Sequence, residues 1–271
     1  MCGKGLLRQV GARRCLLGRV MARGAGWPGA AESLLLLVGN GLLFLLFGGG
    51  DGIARLLPAL ASAALVGLPW LWRKHLGEIG ALAAAGLLLC SPLALFAARR
   101  VDGASLGLLG AALLLTALLA RDAERWPAGC TTTLIVAGLA IGLTGGPVFY
   151  DAMFAGVLAW TLCSWIFSTP DAVPRVRTPL RAWIRPAVWG VVGALLISTG
   201  LGLRWNGWSG VADGLVAWLI SWRVPRAGLP PVGLLFLYEP VTLLLILLGV
   251  IWAINKRDRL PLALLLWAFL G

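Results

Sequence analysis

GEIGALAAAGLLLCSPLALFAARRVDGASLGLLGAALLLTALLA, residues 77–120, reads as two apolar runs divided by one short polar wedge. The runs, 77–98 and 104–120, approach or exceed the ~18 apolar residues that mark a membrane-crossing helix. Neither alternates polar with apolar side chains as the strands of a membrane barrel do, so helices are expected. Arg99, Arg100 and Asp102 stand between them. The wedge is either a solvated turn between two membrane helices or the rim of a site.

The pattern repeats in both directions. Upstream, 33–48 is apolar but short and carries Gly39, Asn40 and Gly41 at its middle, which suits an interfacial or re-entrant helix. After GGGDG, residues 53–72 form a span closed by Trp70, Trp72, Arg73, Lys74 and His75. Indoles and cations favour a headgroup boundary. Downstream, 131–144 and 148–167 are two apolar blocks broken by GGP, where glycine frees φ and proline removes a donor. Residues 187–203 span again, 211–222 read as a surface helix, 233–254 span, and 260–271 begin a span that the chain end cuts off. The expected architecture is all-α and polytopic, with about seven spans plus interfacial helices.

Composition agrees. The 271 residues are 59% hydrophobic and 13% charged, against about 25% charged in soluble domains. With a mean hydropathy of +0.89, one water-soluble core cannot bury the excess. The net charge of +12 is scattered between spans rather than gathered on one face, so it is read as loop charge that sets topology, not as a nucleic-acid surface. Five cysteines show no CxxC pair, and the single histidine excludes a multi-histidine metal site. Residues 1–31 carry six basic residues and no acid, interrupted too often for a signal peptide. They read as a separate segment, either a basic surface helix or a fragment end, ahead of a transmembrane domain over 32–271.

Loop charge orients the chain. The loops after Trp72, Ala120, Phe167 and Ile254 hold eleven Lys and Arg, and the opposite set holds five. The positive-inside rule puts the first set in the cytoplasm. The RRVDG wedge, the GGP break and the Trp-rich segment 204–231 then share the outer face. The basic segment 1–31 would fall there too, against the rule, unless a crossing is missing.

Four blocks, taken in order, resemble the GT-C type of polyprenyl-phosphate-sugar-dependent glycosyltransferase, the family of protein O-mannosyltransferases and the lipid A aminoarabinose transferase. They are LFGGGDGIARLLPAL, FAARRVDGASLG, AGLAIGLTGGPVFY and WLISWRVPRAGLPPVGLLFLYEPVTLLLILLGVIWA. The resemblance runs from about Glu32 to the end and implies a GT-C-like helix arrangement in a bacterial or archaeal plasma membrane, with its site on the extracytoplasmic face. It implies a polyprenyl-phosphate-linked sugar and membrane lipids as partners, and it matches Arg99 and Asp102 to the family's arginine-x-x-aspartate block. The family's catalytic carboxylate belongs to a first outer loop, but no acid precedes Glu32 here, and Gly145 stands where the family has lysine. The chain therefore reads as an incomplete module, truncated at both ends.

Inverting transfer needs a base near the acceptor hydroxyl and positive groups on the leaving phosphate. The acid candidates are Asp102, which leads with Arg99 and Arg100 beside it, Asp151 and Glu239. Arg99, Arg100, Arg223, Arg226 and Tyr238 are the candidates for holding phosphate, since an arginine fork matches its oxygens. No cofactor is assigned, although a divalent metal ion can share the phosphate's charge. Structural readings stand beside these. Asp102 would cap the helix it precedes, Asp51 and Arg55 would pair at i,i+4, and the arginines would meet headgroups. Pro240 would make the Tyr238–Glu239 segment a kinked packing element, and Trp205, Trp208, Trp218 and Trp222 would form an interface belt rather than a sugar platform. At the level of function, a non-catalytic multi-pass subunit for lipid-linked glycan handling remains the alternative to an enzyme.

Overall fold

The computed structural model describes residues 33–99, 101, 103–122, 127–166, 181–200 and 209–222, together with 240 and 244. Among them the chain is all-α, without a strand. The helices are α1 (Leu34–Phe47), α2 (Asp51–Ala54), α3 (Leu56–Gly67), α4 (Arg73–Cys90), α5 (Pro92–Arg99), α6 (Ala104–Asp122), α7 (Ala128–Gly145), α8 (Pro147–Ile166), α9 (Arg181–Ser198) and α10 (Ser209–Ser221). A 3-10 segment, Leu68–Trp72, joins α3 to α4. The basic segment 1–31 and the expected spans 233–254 and 260–271 lie outside the described residues.

Glycine decides the centre of the fold. α6 and α7 run antiparallel, with Gly107 against Gly145 and Gly110 against both Gly142 and Gly138. A Cβ on Gly110 would stand 2.5 Å from the Gly142 Cα, and one on Gly145 would stand 2.7 Å from the Gly107 nitrogen. The two backbones touch, which larger residues forbid. Gly138 and Gly142 have the G-x-x-x-G spacing that puts both on one helix face. α9 packs on another side of α7, with Gly190 against Leu139 and Gly193 against Ala140.

The GGP break turns the chain back. Gly146 ends α7 at φ 113°, ψ −173°, a region essentially open only to glycine. Pro147 then begins α8, where its missing N–H costs no helix bond. α8 runs parallel to α6: Gly107 abuts the Phe149 backbone, and Ala111 clusters with Phe149 and Ala152. The Phe149 ring fills the space beside Gly142. α3 also follows α6. Ala61 packs with Leu106, and further along the Trp72 indole N–H donates to Thr116 Oγ1 at 2.9 Å.

Two spans read from the sequence are interrupted. The run 77–98 is not one helix. Gly77 adopts φ 76°, ψ 164° inside α4, and Ser91 is extended at ψ 121° because the proline after it disfavours the helical region. Ser91 Oγ accepts from the Ala94 N–H at 3.1 Å, so α5 starts afresh under its own cap. The run 53–72 is likewise divided, by a turn at Arg55 and by the 3-10 segment.

α1 is short, as expected. Leu36 packs beside Ala61, and Gly39 faces Leu57, so α1 is antiparallel to α3 and runs outward past the start of α6. Its 14 residues rise about 21 Å at 1.5 Å each, less than the ~30 Å of a bilayer core. Leu45, Leu46 and Phe47 at its outer end are exposed.

Two stretches, Leu56–Cys90 taken as one run and Ala128–Gly145, are long and apolar enough to cross a membrane by length and composition. Most of Leu56–Cys90 is exposed, whereas Ala128–Gly145 is mostly buried or half-buried against its neighbours. Apolar length without burial is the pattern of a surface that meets hydrocarbon rather than water.

Candidate functional site

Three chain segments meet at one end of the bundle. Ser33 caps α1: its Oγ accepts from the Leu36 N–H at 3.2 Å and donates to the Thr144 carbonyl at 2.9 Å. That carbonyl belongs to the last turn of α7, where no intrahelical donor remains. Ser33 is only 2% exposed, so the bond is protected from water. Gly103, just before α6, is pressed against the Gly145 carbonyl and the Ser33 side chain. The segment after the arginine wedge is therefore clamped to the GGP break.

Asp151 lies one turn into α8, beside this junction. It is half-buried, whereas the other charged side chains described (Asp51, Arg55, Arg73, Lys74, His75, Glu78, Arg99, Arg185 and Asp213) are exposed. Its Oδ1 accepts from the Trp218 indole N–H at 2.7 Å, across 67 residues of sequence. Among the described residues this is its one hydrogen bond. The distance is that of a short, charge-assisted bond.

Trp218 is held in turn by rings from both helices. Its centroid lies 5.8 Å from Tyr150, 6.3 Å from Phe154 and 5.3 Å from Trp222. The Phe154–Trp222 pair is edge-to-face at 5.1 Å and 82°. Such tilted and edge-on pairs match ring edges to ring faces. Tyr150 and Phe154 are one turn apart on α8, as are Gly214 and Trp218 on α10 with Trp222 just past its end, so the helices meet along matching faces in parallel. Gly214 lies over Tyr150, where a Cβ would be 3.7 Å from the phenol oxygen. The phenol itself donates to the Leu143 carbonyl at 3.2 Å, which ties α8 to α7.

The candidates read from the sequence divide between described and undescribed positions. Asp102, Glu239, Arg100, Arg223, Arg226 and Tyr238 lie outside the described residues, as do Trp205 and Trp208. Arg99 ends α5 and is exposed. Asp51 and Arg55 are exposed and form no ion pair with each other among the described residues, since the helical path breaks at Arg55. Two residues treated separately in the sequence, Asp151 and Trp218, are brought together. Ser33, Thr144 and Tyr150 were not singled out as site residues. The i,i+4 aromatic spacing on both helices was the signal that could have paired Tyr150 and Phe154 with Trp218.

Chemically, the arrangement offers a carboxylate with one oxygen engaged and lone pairs left to accept a proton. Arg73 covers the Trp70 ring at 4.9 Å, but that pair adjoins the 3-10 segment near Thr116, at the opposite end of α6. No three His, Cys, Asp or Glu side chains gather to hold a metal ion among the described residues. No known protein family matches the chain, and no curated protein or solved structure matches it.

Proposed function

We propose that the chain is a GT-C-like membrane glycosyltransferase that moves a sugar from a polyprenyl-phosphate carrier to a hydroxyl of a lipid, glycan or protein. In this reading it is polytopic, with about seven spans in a cell membrane. The end bearing Ser33, Gly103, Gly146 and Asp151 faces outward, because the opposite loops carry more Lys and Arg. The observation that carries the reading is Asp151: the one half-buried acid among the described charged side chains, held by Trp218 beside the GGP turn.

Asp151 acts as the base. It takes the proton of the acceptor hydroxyl while the acceptor oxygen attacks the anomeric carbon. The bond from that carbon to the phosphate oxygen breaks, and its electron pair leaves with the carrier as polyprenyl phosphate. Arg99, Arg100, Arg223 and Arg226 are the cationic groups proposed to stabilise this developing charge. Asp102 and Glu239, with Tyr238 beside it, remain further candidates on the same face.

The test uses the full chain in lipid nanodiscs with a radiolabelled hexose on undecaprenyl phosphate, and reads sugar passed to a lipid hydroxyl or to water. Asp151→Asn keeps the shape and removes the base, so turnover should fall by roughly 10²–10⁴-fold, the usual range for a general base. Unchanged turnover in a folded variant would leave Asp151 without this role and favour the accessory-subunit reading.

A further inference from the structure

We infer that Trp218 is a positioning residue for Asp151: its indole N–H holds one carboxylate oxygen so that the other is presented to the acceptor hydroxyl. The inference rests on the reading of Asp151 as the base and adds a residue to that site from another helix.

A carboxylate on a helix can turn between several rotamers, whereas a base must lie about 2.6–3.2 Å from the proton it removes. The 2.7 Å bond from Nε1 to Oδ1 selects one orientation. The donor is itself fixed, because the Trp218 ring is packed by Tyr150, Phe154 and Trp222. A first group held by a second, packed group is how a site keeps its geometry to within about 0.5 Å.

A tryptophan that served only to pack the two helices would behave differently. Phenylalanine fills most of the same space without the N–H, so packing and positioning separate in Trp218→Phe.

The experiment compares wild type, Trp218→Phe, Asp151→Asn and the Trp218→Phe/Asp151→Asn double variant, using the same full chain and labelled donor in nanodiscs. Trp218→Phe should lower kcat roughly ten- to hundredfold, the range for a hydrogen bond to a charged group. The donor KM should stay unchanged, and the melting temperature of Trp218→Phe should remain within a few degrees of wild type. In the Asp151→Asn background Trp218→Phe should cost nothing further, since residues acting as a unit are not additive. In the wild-type background, the indole N–H resonance that vanishes in Trp218→Phe should also move in Asp151→Asn, whether or not donor is present. Wild-type kcat in Trp218→Phe, alongside an inactive Asp151→Asn, would overturn the positioning role while sparing the base. Wild-type kcat in Asp151→Asn would overturn the base itself. A loss in Trp218→Phe that tracks its melting temperature would assign Trp218 to packing alone.

Discussion

Asp151 and Ser33 are polar residues at the same end of the bundle, but their surroundings give them different work. Ser33 has both its donor and its acceptor capacity used, on Thr144 and Leu36. That is a structural serine, and Ser33→Ala should cost about 1–2 kcal/mol from the lost cap and the unpaired Thr144 carbonyl. The measurement is thermal unfolding in detergent, where the variant should melt a few degrees lower. Asp151 has capacity left over. Its place after GGPVFY, at the start of an apolar run, was readable from the sequence, and an acid there calls for a role. Its partner was not readable. Trp218 lies 67 residues away, in a segment whose indoles suit a headgroup boundary equally well, and no local rule joins the two. Ser33 and Thr144, 111 residues apart, escaped for the same reason. Side-chain partners across a bundle are set by how helices dock, which local sequence does not state.

At the scale of elements, the sequence was more informative, and its errors are instructive. The GGP break fell where α7 gives way to α8, because a positive-φ glycine with a proline directly after it leaves a helix no other path. The same chemistry at Ser91–Pro92 is hidden inside an apolar run, although a serine before proline both leaves the helical region and caps the next helix. Apolarity there masks the break. α10 was read as a surface helix over 211–222, and it docks on α8 through Trp218 and Trp222. α6 and α7 touch backbone to backbone. Gly110→Val would place a Cβ 2.5 Å from the Gly142 Cα and 2.9 Å from the Gly138 carbonyl oxygen. Backbone atoms cannot yield as a flexible side chain can, so the two helices must part. Overpacking of this kind costs about 1–3 kcal/mol or more. The variant should unfold well below wild type, whereas Gly129→Val, at a helical glycine with open space around it, should melt at or slightly above wild type, since valine is a few tenths of a kcal/mol or so better than glycine in a helix. Equal melting temperatures for the two would contradict the backbone contact.

For the whole molecule, composition already pointed to an all-helical chain whose apolar surface exceeds any core, and the exposed side chains of Leu56–Cys90 agree. Orientation rests on loop charge. Cys130 is exposed at the start of α7, at the end of the bundle opposite Asp151. With Cys2, Cys15, Cys90 and Cys163 replaced by serine or alanine, a membrane-impermeant maleimide should reach Cys130 only after the cells are permeabilised. Labelling in intact cells would reverse the orientation and place Asp151 on the cytoplasmic side. The central claim is the proposal that this chain, embedded in a membrane, transfers a sugar from a lipid-phosphate carrier with Asp151 as base. Its most direct test is turnover of a labelled undecaprenyl-phosphate hexose by wild type and Asp151→Asn, at equal folded protein in identical nanodiscs. Turnover by wild type and a loss of at least about 100-fold in the variant is the predicted result, and equal rates for the two would contradict it.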